Sequence, residues 1–473
     1  MSESKLATMF SPTSAVKGPV TGSNAAEPAP PHSYARYVNP QWVRLLELLQ
    51  MNVSYTECKG AELHTSTGEC ILDFLSGYCV HNIGHNHPYL IAALQKELSH
   101  CGPAMLQSHV PELAGDLAAG LCARAGGQLT KVFFCSSGSE GVETVIKFAR
   151  AHTGRNKLLY ASGAFHGLTC GALSLMGSPF WREGFGPLLQ NSAEIPFGDL
   201  VAVEKELAGR QVAALILEPI QGEAGIQLPP PDYLSRAQAL CKRYGTLFVL
   251  DEVQTGLYRT GKFLAAHHYG VSPDMVVLAK ALSGGLIPSG AVLMTDAICN
   301  SVYNSLQRAI VHTSTYSENA LAMRAGLATL EVLDRQELGE RSDRLGRYLR
   351  AKLQTALAGY EMVKEVRGEG LFCGIEFAPP KPMRLRVPFE AFGKIHPGMF
   401  GQMVVMRLFR DKGILTQICG NNFLVLKAAP PLVVQEHQLD KFVMAVQDVM
   451  ETIHTSSAFW STALGLAKRA MAV

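Results

Sequence analysis

From about residue 88 to 335 the chain alternates two textures. Helix-spaced apolar positions, as in PYLIAALQKELSH, give way repeatedly to short runs that are apolar almost throughout: KVFFCS, NKLLYAS, QVAALILEP, TLFVLDE and DMVVLAK. A strand apolar at every position must be covered on both faces. Such strands, separated by helix-length segments, predict an α/β domain built on a mostly parallel sheet. Upstream, NPQWVRLLELLQ has helical spacing, and GAELHTSTGECILDF reads as a hairpin turning at Thr67-Gly68. Downstream come a long charged helix (RQELGERSDRLGRYLRAKLQTAL), strands in EVRGEGLFCGIEF and NFLVLKAAP, and a closing helix around DKFVMAVQDVMETI. The pattern divides the chain into an N-terminal part of a small domain (38–87), a large domain (88–335) and a C-terminal small α+β domain (336–473). Residues 1–37, rich in Ser, Pro, Ala and Gly, read as a flexible arm.

Composition narrows the function. A net charge of +2 over 473 residues gives no electrostatic case for nucleic acid or an acidic membrane surface. The eleven cysteines are scattered, odd in number and without a Cys-x-x-Cys pair, which argues against a disulfide framework or thiolate zinc site and fits a reducing, cytoplasmic setting. The N-terminus lacks an apolar signal core, and no uninterrupted apolar run reaches spanning length.

In open α/β sheets, ligands bind beyond the carboxyl ends of the strands. KVFFCS leads into Ser136-Ser137-Gly138-Ser139-Glu140-Gly141 and a helix, which makes either a phosphate site or an ordinary tight turn. QVAALIL ends in Glu218-Pro219, and the glycine-bracketed Glu223 follows, as a site carboxylate or a loop residue. TLFVL ends in Asp251, where a carboxylate at the margin of a low-dielectric sheet needs a cationic or N–H partner, or is a structural salt bridge. DMVVLA ends in Lys280; a desolvated ammonium there has its pKa pulled down, as Schiff-base lysines do, unless the side chain snorkels out. The loop Gly256-Leu-Tyr-Arg-Thr-Gly261-Lys262 has the spacing of a nucleotide phosphate loop. Phe263 stands where such a loop needs Ser or Thr for Mg²⁺, and the loop trails a strand ending in two carboxylates, so triphosphate binding is excluded.

Taken together, DEVQTGLYRTGK, the downstream Lys280, SSGSEG, AFHG at 164–167 and HTSTYSEN at 312–319 resemble the class III aminotransferases over about residues 40–450, with the motifs in family order. The resemblance implies a fold-type I enzyme dependent on pyridoxal 5′-phosphate (PLP). Lys280 would carry the cofactor as a Schiff base and act as the catalytic base. Asp251 would pair with its pyridine nitrogen. Val253 and Phe165 would enclose the ring, and Gln254 would meet its hydroxyl. Ser137, Gly138 and Ser139 would hold the phosphate, with His166 and Glu218 alongside. Thr315 would reach the phosphate of a neighbouring subunit, since family sites form at a homodimer interface. The histidines of VHNIGHNHP (His81, His85 and His87) match a family turn that holds no metal, so no metal site is expected.

Two departures bear on substrate. Leu168 follows the Phe-His-Gly triplet where many members acting on α-amino acids carry Arg, and Lys427 stands where Arg usually precedes the Ala-Pro-Pro stretch. The segment FHGLTCGALSLMG is similar to putrescine and other ω-amine aminotransferases. With Tyr78, Leu168, Glu223 and Lys427 as substrate residues, the expectation is ping-pong transfer from a primary amine (ω-amine, diamine or long-chain amine) to a small keto acid. In related members a Glu–Arg pair opens to admit a carboxylate; Glu223 and Lys427 match its places, unless Lys427 is only a solvated strand residue. The alternatives are an aminotransferase for ornithine or lysine, or an aminomutase or decarboxylase on the same scaffold.

Overall fold

The computed structural model describes residues 33–106, 108–456 and 459–460. The expected flexible arm therefore lies mostly outside the described residues, and its last residues, Ser33–Tyr37, form a short helix. The chain falls into two compact units that divide between Glu47 and Leu48, and the site lies wholly in the second.

A hairpin of β1 (Tyr55–Lys59), β2 (Glu62–Thr65) and β3 (Cys70–Asp73) comes first, with His64 opposite Cys70 and Gly68 in the left-handed region that closes the turn. The central sheet follows: β4 (Lys131–Cys135), β5 (Lys157–Ala161), β6 (Ser192–Ile195), β7 (Val212–Leu217), β8 (Leu247–Asp251), β9 (Met275–Leu278) and β10 (Gly290–Met294). Its spatial order is β4-β10-β9-β8-β7-β5-β6, and only β10 opposes the common direction. The doubly buried strands separate cleanly by parity. Leu159, Leu215, Leu217, Phe248, Leu250, Val276 and Leu278 join one core. Leu158, Ala214, Ile216, Val249, Met275 and Val277 join the other, with Val142, Val145 and Phe148 of the helix Gly138–Thr153. Each fully buried Leu, Val or Ile side chain contributes about 1.5–3 kcal/mol of transfer free energy, which is why both faces must be apolar.

The remaining strands are β11 (Val363–Glu369), β12 (Phe372–Phe377), β13 (Ile414–Leu415), β14 (Gln417–Ile418) and β15 (Val425–Ala428). They form a sheet β11-β12-β15-β14, while β13 pairs in parallel with β3 and so ties the first hairpin to the C-terminal region. Helices Leu338–Leu357 and Glu436–Thr455 pack together beside it. The short strands β1, β13 and β14 escaped the sequence pattern, and so did two strands of the central sheet. β6 is a four-residue sheet edge with polar Ser192 and Glu194, and β10 hides in the glycine- and proline-broken run after Lys280. Among the described residues, no helix is long and apolar enough to cross a membrane.

Candidate active site

The carboxyl ends of β4, β7, β8 and β9 converge on a cavity of about 470 Å³, lined among others by Ser137, Gly138, Phe165, Asp251, Gln254 and Lys280. This volume is in the range of small-molecule sites. β9 stops at Leu278, so Lys280 lies two residues past the strand end, at the start of a 3-10 turn, instead of closing the strand. Its backbone is left-handed (φ 46°), a conformation L-residues adopt at a cost and one that concentrates at functional sites. Its ammonium makes no hydrogen bond or ion pair with the described residues, and burial draws its pKa down, only partly opposed by Cys79, Glu223 and Asp251 nearby.

Asp251 closes β8, 5% exposed, and accepts from the Val253 N–H (3.1 Å) while its other oxygen lies 2.8 Å from His166 Nδ1. Burial alone would lower the His166 pKa; the hydrogen bond and charge of Asp251 outweigh it and raise it. Glu218, also buried, accepts from the Phe165 and Gly222 N–H groups (3.0 and 3.1 Å). Desolvation pushes its pKa up to about 7, against the pull of His166. Glu252, next to Asp251, belongs to the framework: it accepts from Thr255, Ala265 and Ala266, and burial raises it to about 7 as well.

At the end of β4, Ser137 caps the helix Gly138–Thr153 by accepting from the Glu140 N–H (3.2 Å), and Ser136 N–H returns the favour to the Glu140 carboxylate (2.6 Å). The N–H groups of the first turn are left to face an anion. Close packing enforces small residues. A Cβ on Gly138 would lie 2.9 Å from Val253, and Gly167 (φ 117°) sits against Ser139. Three polar atoms of cavity-lining residues, His166 Nε2, Gln254 Oε1 and Ser289 Oγ, are buried without a hydrogen-bond partner.

Beside this cavity lies a second constellation. Lys427 on β15 is fully buried, which removes the solvated-strand alternative, and its Nζ is 2.5 Å from Glu223 Oε1. The same oxygen accepts from Gln254 (3.2 Å), and Oε2 accepts from the Gly420 N–H (2.8 Å). Burial pulls the Lys427 pKa down, but Glu223 reverses the effect and raises it; Glu223 in turn is lowered, Lys427 overcoming its own desolvation. The Lys427 ammonium also stands 5.4 Å over the Tyr78 ring, a cation–π distance. Tyr78 is presented by four consecutive left-handed residues, Ser76 to Cys79, with Asp73 holding the Leu75 and Ser76 N–H groups at 2.8 Å.

Not every sequence candidate gathers here. The Leu168 side chain is 52% exposed and engages the site through its N–H, which bonds Ser139 Oγ (3.2 Å). Thr315 is exposed and lines a separate groove with Met105, His109 and His312. His85 holds Asp73 (2.7 Å), His81 stacks on His85 (3.9 Å between centroids) and His87 accepts from the Tyr89 N–H. The one trio of metal-ligand type among the described residues is Glu62, His64 and Cys70, on the β2–β3 hairpin. Two residues went unnoticed in the sequence. Trp181 meets Phe165 edge-on (5.4 Å), and Arg259, inside the loop excluded for triphosphate, is wholly buried among Asn82 and the carbonyls of Leu371 and Pro430.

The family model for aminotransferase class-III matches residues 47–450. The chain belongs to this family. As a class III aminotransferase it is 36% identical to aminotransferase PigE of a Serratia species over 89% of its length, and spans 53% of that longer protein. It is 36% identical to putrescine aminotransferase of Pectobacterium atrosepticum, covering 89% of this chain and 88% of that one. Among solved structures it is similar to an ornithine aminotransferase of Toxoplasma gondii with PLP at its active site (TM-score 0.76, 29% identity, 85% of this chain and 91% of that one). PLP is the cofactor that this membership indicates.

Proposed function

We propose that the chain transfers an amino group from a primary amine lacking an α-carboxylate to a small keto acid, using PLP held in the 470 Å³ cavity. The observation that carries the reading is the half-buried Lys280, unpaired among the described residues, sharing that cavity with the buried Asp251. The residues fit the cofactor. The open helix N-terminus at Gly138 and Ser139 suits its phosphate, the unpartnered Gln254 Oε1 suits its hydroxyl, and Asp251, backed by His166, suits its ring nitrogen. When bound there, PLP supplies an electron-withdrawing ring that stabilises negative charge at the substrate carbon.

The protein does the rest. Lys280, its amine favoured neutral by burial, accepts the proton from the substrate carbon and returns it. Val253 and Phe165 line the cavity and hold the ring. Lys427, freed when Glu223 releases it, takes the carboxylate of the keto acid as a point charge. The exposed Thr315, in its own groove, supports an arrangement in which a second copy of the chain uses it. A panel of amines and amino acids with pyruvate and 2-oxoglutarate tests the reading, each half-reaction followed by cofactor absorbance. Simple amines are expected to discharge the cofactor faster than ornithine or lysine. Faster reaction of those amino acids would replace the substrate assignment, and spectral change without net transfer would indicate an aminomutase or decarboxylase.

A further inference from the structure

Trp181 joins the two halves of the site. Its ring meets Phe165, which lines the Lys280 cavity, edge-on at 5.4 Å, and Phe180 packs on it at 5.0 Å. On the other side it flanks Gly420: a Cβ there would be 3.4 Å from Trp181 and 3.1 Å from Glu223 Oε2. The indole N–H bonds Asn421 Oδ1 (2.8 Å), and Asn421 is itself fixed by the Gly163 and Ala164 carbonyls and the Glu223 carbonyl. The ring is thus held rigidly, its polar end satisfied, between the cavity wall and the Lys427–Glu223 pair.

The charges nearby complete the argument. Both Glu223 oxygens are occupied, by Lys427, Gln254 and the Gly420 N–H. A second ammonium on the substrate would find no free carboxylate there, and would meet the buried Lys427 charge beside an aromatic wall. Building on the amine-donor reading, we infer that Trp181 is a specificity residue that selects amines with a hydrocarbon tail over diamines. Pentylamine and putrescine test this directly, because they match in length and differ at the far end by methyl against ammonium. With PLP-loaded protein and pyruvate, kcat/KM should favour pentylamine by roughly tenfold or more. Trp181→Ala should lower that ratio about tenfold, leave the KM for pyruvate unchanged and keep the cofactor spectrum. Trp181→Phe, which keeps the ring, should retain most of the preference. A wild type that prefers putrescine, or a Trp181→Ala that slows both amines alike, overturns the inference while leaving the amine-donor reading standing. If neither amine discharges the cofactor, both fail together.

Discussion

Two lysines, one half-buried and one fully enclosed, lie within electrostatic reach of one another and have opposite chemistry. Lys280 stands two residues past a strand of the central sheet with no partner among the described residues, and burial lowers its pKa. Lys427 sits in the middle of the C-terminal sheet, wholly enclosed, and a carboxylate at 2.5 Å reverses the burial effect and raises it. Residue type is shared, and loss of solvent pulls both pKa values down, so the opposite outcomes lie in the partner. An unpaired buried amine is poised to lose its proton and to react, whereas a paired one is a fixed charge. A sheet end open to a cavity suits the first, and a strand interior beside a loop carboxylate suits the second.

The strongest break of this comparison is Lys280→Ala. Amine transfer should fall on the order of 10⁴-fold or more, since one side chain serves as attachment point and base. The PLP-loaded protein should keep cofactor noncovalently, and borohydride should no longer fix it. Turnover near the wild-type rate would show Lys280 to be an ordinary buried lysine.

Removing the partner of the other lysine tests stability instead. Glu223→Ala strands a buried ammonium and should cost about 3–5 kcal/mol in chemical denaturation. Adding Lys427→Met should restore most of the loss, because no charge is then left buried. A double variant as unstable as the single one would mean that packing, and not charge, governs this spot.

Glu218 is the carboxylate counterpart of Lys280: buried, with its pKa raised to about 7 from 4.5. The folded protein therefore holds this proton more tightly than the unfolded chain. Its contribution is most favourable below about pH 4.5 and is lost as pH rises through about 7. Stability of the cofactor-free protein should carry a decline on the order of 3 kcal/mol from this group across that window. Glu252, raised to the same value, adds a similar decline, so Glu218→Gln should lose about half of the total, as urea titrations at stepped pH would reveal.

The smallest effect sharpens the substrate side. Lys427→Ala should raise the KM for the keto acid roughly tenfold, the loss of one charge-assisted contact, and move the amine KM much less. Equal changes in both would remove Lys427 from carboxylate binding.

How far the sequence alone reveals this arrangement depends on the range of the contacts involved. The five apolar runs became β4, β5, β7, β8 and β9, because a doubly covered strand writes its burial into every position. Asp251 and Lys280 stood out for the same reason, as charges at the ends of such runs. Trp181 carried no local signal. Its role comes from Phe165 sixteen positions earlier and Asn421, 240 positions later. Arg259 lay in plain view within GLYRTGK, yet nothing nearby says that its guanidinium turns inward to carbonyls 112 and 171 residues downstream. The pairing of Lys427 with Glu223 spans 204 positions, and only the family resemblance suggested it.

The enclosed Arg259 also constrains how the chain can be made. The two terminal nitrogens of its guanidinium bond Asn82, Leu371 and Pro430, which leave a ribosome at widely separated times. All seven central strands have been synthesised by Met294, so that sheet can assemble while the guanidinium still lies in water. Sealing it away must wait for Pro430, near the end of synthesis, when the burial of the charge and the supply of its acceptors coincide. A nascent chain halted before that residue would display a nearly finished sheet beside an unlocked arginine loop. Protease sensitivity confined to the neighbourhood of residues 256–262 would mark the halted form.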